Sequence, residues 1–342
     1  MSPTRSPSRR SRSRRGTLAF PGGITVGDTM VFVADTGHHQ VVGCTPSGKE
    51  VARFGSGRPG LLDGPAGEAR LHHPHGLAVG DGRLYVADTG SHAVRVIDLG
   101  SGVISTVAGT GRKARQLEDP GAAGGTDLRS PWDVAVAPDG TLIVAMAGSH
   151  QLWEIADDVA GVLAGSGGEA RVDGDFDQCT FAQPSGLAWG ADGALYVADS
   201  ETSAIRCVRA GNVRTVAGGD LFDCGDVDGT GNEVRLQHPV GIAAGPDGAL
   251  LVADTLNHKV KRLDPATGEV CVLFGDGTPL DAPLAELEQR PTLPADARTA
   301  AFCREPEALA WDGGRLLVAD TGNHRIVAVD LADGSADAWL GA

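Results

Sequence analysis

A short apolar run ending in Ala-Asp-Thr-Gly, or a near copy of it, occurs six times along the chain. The copies are centred on Asp35, Asp88, Met146, Asp199, Asp254 and Asp320. A proline stands 14 or 15 residues before each centre, at Pro21, Pro74, Pro131, Pro184, Pro239 and Pro306. Four residues after each centre comes His39, His92, His150, Ser203, His258 or His324. Offsets this regular mean that one structural unit has been copied, and such a repeat constrains the fold more than any local propensity does.

Each unit reads as four short strands. In the second copy, residues 75–79 form the first strand and Gly80-Asp81-Gly82 a hairpin of the Asp-Gly type. Residues 84–87 and 94–97 form the second and third strands, and residues 103–108 the fourth, after a turn at 100–102. The second strand is apolar on both faces, where a half-solvated strand would alternate, so it needs neighbours on both sides. Blades stacked in a ring supply them. The prediction is an all-β, six-bladed β-propeller with four antiparallel strands per blade. The blades fall at about 17–57, 70–111, 128–167, 181–219, 236–277 and 303–342. The distance from each Asp centre to the next proline varies from 38 to 52 residues, which puts the variation in the connections between blades. With four alternating strands, those connections and the Asp-Thr-Gly turns are expected on one face, and binding is assigned to it.

The recurrence itself argues for a scaffold role. A catalytic group is needed once, whereas a fold residue is needed in every blade. Asp35, His39, Asp88, His92, Asp199, Asp254, His258, Asp320 and His324 are therefore assigned structural roles. Asp88 is expected to accept hydrogen bonds from the amides of the turn that follows it. Gly90 or Asn257 is expected to take a left-handed conformation, and His92 to bond between neighbouring turns.

Composition narrows the partners. Net charge is −15, yet residues 1–15 carry six Arg and no acid, so the remainder carries −21. A body that acidic repels phosphate backbones, which argues against nucleic acid as a partner of the propeller. No run approaches the roughly 18 to 20 apolar residues of a membrane-spanning helix. Residues 1–16, rich in Ser, Pro and Arg, are predicted to be a disordered tail, and the apolar stretch of a signal peptide is missing there. The six cysteines include no C-x-x-C pair, so free thiols in a reducing cytoplasm are expected, on a monomeric protein.

Pro-x-Gly-Leu-Ala, then Leu-Tyr-Val-Ala-Asp-Thr-Gly-x-His, then Val-Ala-Gly-x-Gly, resembles the NHL repeat. Ser130-Pro131-Trp132-Asp133, Phe181-Ala182-Gln183-Pro184-Ser185-Gly186 and Phe222-Asp223-Cys224-Gly225-Asp226-Val227-Asp228-Gly229 sharpen the resemblance. They are similar to the propeller half of thioredoxin-NHL proteins, in which a thioredoxin-like domain precedes the propeller. The resemblance covers roughly residues 17–342 and implies a six-bladed ring. No Trp-Cys-x-x-Cys is present, so the redox chemistry of that domain does not carry over.

Function is sought where the copies fail. Met146 replaces the Asp, Ser203 replaces the His, Glu201 adds an acid, and Trp132 and Trp153 occur in blade three alone. Trp132, Met146, His150, Gln183, Ser185 and Glu201 are proposed to line a binding surface over blades three and four. His72, His73 and His75 are weighed as a zinc site that needs a further ligand from another blade. Asp173-Gly174-Asp175 and Asp226-Val227-Asp228-Gly229 are weighed for calcium. No cofactor is assigned, with a divalent metal at the central pore as the exception considered. The favoured function is a non-enzymatic scaffold for a protein, a thioredoxin-like one by the resemblance, or for a small ligand. The alternative is a lactonase-like or amidating-lyase-like enzyme with a pore metal. An asymmetric set of polar groups at the pore discriminates the two.

Overall fold

The computed structural model describes residues 18–115, 120–280, 293–294 and 296–341. The Arg-rich tail, residues 1–16, lies outside the described residues.

The repeat folds into six antiparallel sheets, one per copy. The first holds β1 (Pro21–Val26), β2 (Val31–Asp35), β3 (Gln40–Cys44) and β4 (Glu50–Phe54). The second holds the two-residue β5 (Gly64–Pro65), then β6 (Pro74–Gly80), β7 (Arg83–Asp88), β8 (Ala93–Asp98) and β9 (Val103–Ala108). The third holds β10 (Gly121–Ala122), β11 (Pro131–Val136), β12 (Leu142–Met146), β13 (Gln151–Ala156) and β14 (Val159–Ala164). The fourth holds β15 (Gly174–Asp175), β16 (Pro184–Trp189), β17 (Leu195–Asp199), β18 (Ala204–Arg209) and β19 (Asn212–Gly218). The fifth holds β20 (Gly229–Thr230), β21 (Pro239–Ala244), β22 (Leu250–Asp254), β23 (Lys259–Leu263) and β24 (Glu269–Phe274). The sixth holds β25 (Pro306–Trp311), β26 (Leu316–Asp320), β27 (Arg325–Val329) and β28 (Ala336–Leu340). The predicted strands of the second copy each fall within one residue of an observed edge or inside it.

The inner strands β1, β6, β11, β16, β21 and β25 neighbour one another in that order and return to β1, so the ring is closed. Every residue of β2, β12, β17, β22 and β26 is buried, as strands that are apolar on both faces require. The core divides into six apolar clusters, each joining two adjacent blades. A fully buried Val, Leu or Ile contributes roughly 1.5–3 kcal/mol, so the seams carry the stability of the ring. At the seam between blades six and one, Leu18, Val33, Leu317 and Trp339 share a cluster. Trp339 Nε1 donates to Pro46 O at 3.1 Å, and each of these two blades is one continuous stretch of chain. Residues 18–20 add no strand to blade six, so packing and side-chain bonds seal the ring.

One expectation about the connections needs correction. They leave from the Asp-Thr-Gly face but are not confined to it. Their two-residue strands pair with the start of the outer strand of the blade they lead into: Gly64 with Ile104, Gly121 with Ala160, Gly174 with Val213, Gly229 with Val270. Those partners lie at the opposite end of the blade. Each of these connections therefore runs down the outer edge and returns, covering a strand edge that would otherwise stand unpaired.

Candidate functional site

The repeated residues are consumed in holding blade to blade. Each histidine accepts, at Nδ1, the backbone N–H of the residue just before the next blade's proline. The donors are His73 for His39 (3.2 Å), Ser130 for His92 (3.2 Å), Gln183 for His150 (3.1 Å), Glu305 for His258 (3.1 Å) and Phe20 for His324 (3.0 Å). Ser203 does the same through Oγ, accepting from His238 at 3.3 Å. The residue after each Asp adds a second bond across the seam. Thr36, Thr89, Ser200, Thr255 and Thr321 donate to the carbonyls of Pro74, Pro131, Pro239, Pro306 and Pro21 at 2.6–2.8 Å.

The aspartates work within the blade, and not as expected. Their backbone donor is not an amide of the turn that follows but one 16 or 17 residues earlier; the turn contributes side chains only, with His38, Asn257 and Asn323 bonded to Asp35, Asp254 and Asp320. Ala19, His72, Ala182, Gln237 and Arg304 donate to Asp35, Asp88, Asp199, Asp254 and Asp320 at 2.6–2.7 Å. The left-handed residue is likewise the histidine, with φ of 49–58°, and not Gly90 or Asn257. Gly90 is needed for space instead, since a Cβ there would sit 2.6 Å from His72 O.

The second carboxylate oxygen meets a cation held inside the blade: Arg95 for Asp88, Arg206 for Asp199, Lys261 for Asp254, Arg325 for Asp320 and Arg53 for Asp35. Burial nonetheless pushes the Asp88, Asp199 and Asp254 carboxyls up to about 6. Three of these cations also take an acid from the connection: Asp63, Asp173 and Asp228. Asp226 is held by Lys261 too, at 2.8 Å. Asp173 further accepts from Thr215, and Asp228 from the Val272 amide. The acids weighed for calcium are thus engaged by Arg, Lys and strand-edge donors.

Blade three replaces this network with apolar contact. Met146 stands at the Asp position and Trp153 at the position of Arg95, Arg206 and Lys261, and both are buried. The amide that would meet a carboxylate, Arg129 N–H, points at Met146 Sδ (3.3 Å). Ala147 lacks the hydroxyl that bonds across the other seams. Met146 therefore cannot line a surface. It is 1% exposed, part of the core between blades two and three.

The other predicted surface residues separate into two places. Gln183, Glu201 and His150 meet on the Asp-Thr-Gly face: Gln183 Nε2 donates to Glu201 Oε1 at 3.3 Å, and the Gln183 amide to His150. Glu201 also pairs with His238 Nε2 at 3.2 Å. Trp132 and Ser185 lie instead on the ring axis. There the inner strands surround a cavity of about 270 Å³, lined among others by Trp132, Asp133, Ser185, Trp189, Glu307 and Trp311. Ser185 Oγ is within hydrogen-bond distance of Ser200 Oγ (2.6 Å) and the Val240 carbonyl (3.0 Å). Asp133 accepts from the amides of Leu187 and Val134, both at 2.8 Å, while burial pushes its carboxyl up to about 7. It fits because its neighbour is glycine: a Cβ at Gly76 would sit 2.0 Å from Asp133 Oδ1. Glu307, across the ring, is also pushed up to about 7, by burial first and the Glu305 charge second.

Sequence reasoning missed Asp133 and Glu307, although a signal existed for each. The residue after each repeat proline is Gly22, His75, Trp132, Ser185, Val240 or Glu307, a column without consensus inside an otherwise regular repeat. Asp133 breaks the next column, which elsewhere holds Gly23, Gly76, Gly186, Gly241 and Ala308. The histidines weighed for zinc also part company. His75 stacks on Trp132 with ring centroids 4.3 Å apart, and burial lowers it to about 4. His72 and His73 cluster instead with His39 of blade one, at 4.6–5.5 Å. Among the described residues no three His, Cys, Asp or Glu side chains converge as metal ligands. All six cysteines are free thiols, four of them buried. Burial raises Cys44 to about 12 and lifts Cys303 well above the ordinary thiol value, which makes them poor nucleophiles.

A non-repeated feature also marks the face itself. Between β19 and β20 the chain turns tightly at 219–223, with Asp223 N–H bonded to Asp220 O at 2.8 Å, and Phe222 projects from the turn 99% exposed. Asp220, Asp223, Asp226 and Asp228 surround it in sequence.

Residues 71–97, 128–155 and 236–263, the starts of blades two, three and five, match the family model of the NHL repeat. The chain is an NHL-repeat β-propeller. Its NHL ring is 38% identical over 339 residues to SUPPRESSOR OF QUENCHING 1, chloroplastic, of Arabidopsis thaliana, covering 93% of this chain and 31% of that protein. It is 36% identical over 350 residues to NHL repeat-containing protein 2 of Bos taurus, covering 92% and 47%. The chain thus spans less than half the length of these curated relatives. Among solved structures it resembles a virginiamycin B lyase of Staphylococcus aureus (TM-score 0.54, 16% identity, 96% of this chain and 86% of that one). It also resembles a chain of a nidogen/laminin complex (TM-score 0.58, 18% identity, 90% and 92%). These two likenesses concern the fold alone. No helix among the described residues is long and apolar enough to cross a membrane.

Proposed function

We propose that this NHL propeller is a non-enzymatic binding module that receives a protein partner on its Asp-Thr-Gly face, with Phe222 as the anchor. The observation that carries this is the 99% exposure of Phe222 on a hydrogen-bonded turn of that face. Aromatic side chains buried at the centre of an interface supply most of its affinity, and the same side chain in water is a cost without a return. The net charge of −21 on residues 16–342 favours a partner whose rim is basic. Gln183, Glu201 and His238 extend the same face towards blades three and four. The repeated Asp, Thr and His supply no reactive array, because each is already bonded within or between blades.

The partner we favour is a thioredoxin-like protein, on the resemblance to thioredoxin-NHL proteins. The modest share of its relatives' length that the chain spans fits a propeller that works beside other domains. A reducing compartment, the cytoplasm, in which it acts as a monomer, belongs to this reading, and the six free thiols support the reducing compartment. The test is calorimetric titration of the propeller with a recombinant thioredoxin-like domain. Micromolar binding that Phe222→Ala weakens at least tenfold, at unchanged Tm, supports the reading. No heat at millimolar domain, or an unaffected variant, contradicts it.

A second reading, an enzyme of lyase or lactonase type with a divalent metal at the axis, is favoured by one observation: Asp133 and Glu307 line the axial cavity. Titration with zinc, magnesium and calcium tests it. Stoichiometric binding lost in Glu307→Gln supports it, and absence of binding removes it.

A further inference from the structure

The axial cavity offers its guests an unusual balance of charge. It is walled by six inner strands, and its polar side chains fall into two kinds. Asp133 and Ser185 are already satisfied, the first by two backbone amides and the second by a hydroxyl and carbonyls. Glu307 accepts no hydrogen bond among the described residues, so of the two acids in the lining it is the one without a donor. Blade six, which carries Glu307, lies three places round the ring from blade three, which carries Trp132. The two stand at the same level, each directly after the repeat proline, and therefore on opposite sides of the axis. Blade one contributes only Gly22 at that level, and the His75 ring occupies the space a side chain there would need, with Nδ1 2.6 Å from where a Cβ would sit.

We propose that this cavity binds a small organic cation, with the Glu307 carboxylate as counter-ion and the Trp132 indole as the aromatic wall opposite. An ammonium or guanidinium group meets there what it binds best, a carboxylate, an aromatic surface and carbonyl oxygens. The neighbouring cationic candidate does not compete: His75, stacked against Trp132, is held neutral down to about pH 4 by its burial. The desolvation that pushes Glu307 up to about 7 marks a carboxylate whose ionised form lacks compensation, and a bound cation supplies it. The body's charge of −21 draws cations towards the mouth. A cavity of about 270 Å³ suits a short amine or guanidine or one Lys or Arg side chain. This inference is independent of what docks on Phe222.

The experiment is calorimetric titration of the whole chain with agmatine, with butylammonium, and with butanol as the neutral control. The expected result is submillimolar binding of a cation, no detectable heat from butanol, and at least tenfold weaker binding in Glu307→Gln and in Trp132→Leu. Melting curves confirm that both variants are folded. A peptide bearing one exposed Lys that outcompetes agmatine identifies a partner side chain as the source, and free amine binding alone identifies a metabolite. Absence of cation binding, equal binding of butanol, or undiminished binding by folded Glu307→Gln overturns the proposal.

Discussion

The imidazole Nδ1 of His324 accepts the backbone N–H of Phe20 at 3.0 Å, joining residues 304 positions apart across the last seam of the ring. The same bond recurs at every other seam between residues only 33 to 47 apart. Only at the closing seam must it hold the two ends of the chain together. The Phe20 and His324 rings also meet edge to face at 4.3 Å. His324→Ala should therefore lower stability by about 2 kcal/mol, the sum of a lost hydrogen bond and an aromatic contact. Denaturant unfolding measures it, and a loss no larger than that of His258→Ala would show that the closing seam is not special.

Blade three shows that the buried ion pair is replaceable as a unit. Asp88 and Arg95 are both fully buried and 3.2 Å apart, and Met146 with Trp153 fills the same two positions without charge. Removing one partner of a buried pair is far more costly than exchanging both. M146D alone is expected to cost about 3 kcal/mol, because position 153 offers no cation, and M146D/W153R to recover most of that. Urea denaturation of the two single variants and the double variant gives the coupling. Additive losses would refute the idea that the two positions act as one.

The histidine bonds should weaken in acid. An Nδ1 that carries a proton no longer accepts, and His39 is lowered from 6.5 by burial, then by His73, His72 and His38. A lowered folded value means that this contribution is full above about pH 6.5 and is lost as pH falls through the folded value. The raised Asp88, Asp199 and Asp254 act in the opposite sense, since protons they take up in the folded state favour folding as pH falls. A difference measurement separates them. The Tm deficit of His39→Asn relative to the unmodified protein is expected to be full at pH 8 and to shrink by pH 5. A deficit independent of pH would mean that His39 does not act through its lone pair.

The blades were legible because their signal is periodic and local: alternating turns, strands apolar on both faces, and constant offsets from Pro to Asp to His. What escaped was long-range. Nothing near Asp88 in sequence reveals that its donor is the His72 amide, 16 residues earlier. Intrinsic preference points to Gly90 for the left-handed turn, whereas interlocking of the seam puts that conformation on His92. Met146 looks like an exposed exception because it breaks a polar consensus, yet the consensus Asp is itself buried. Glu307 stood in plain view in the one column without consensus, and only the ring shows that this column faces the axis.

The central claim is that the repeated Asp-Thr-x-x-His signature is a set of bonds within blades and between them, which leaves binding to the residues that do not repeat. Amide hydrogen exchange at Ser130, whose N–H is held by His92 across the seam between blades two and three, tests it most directly. The account predicts a protected Ser130 amide in the unmodified protein and exchange at least tenfold faster in His92→Ala, with amides inside β7 and β12 unchanged. A Ser130 amide that exchanges at the same rate in both proteins would contradict it.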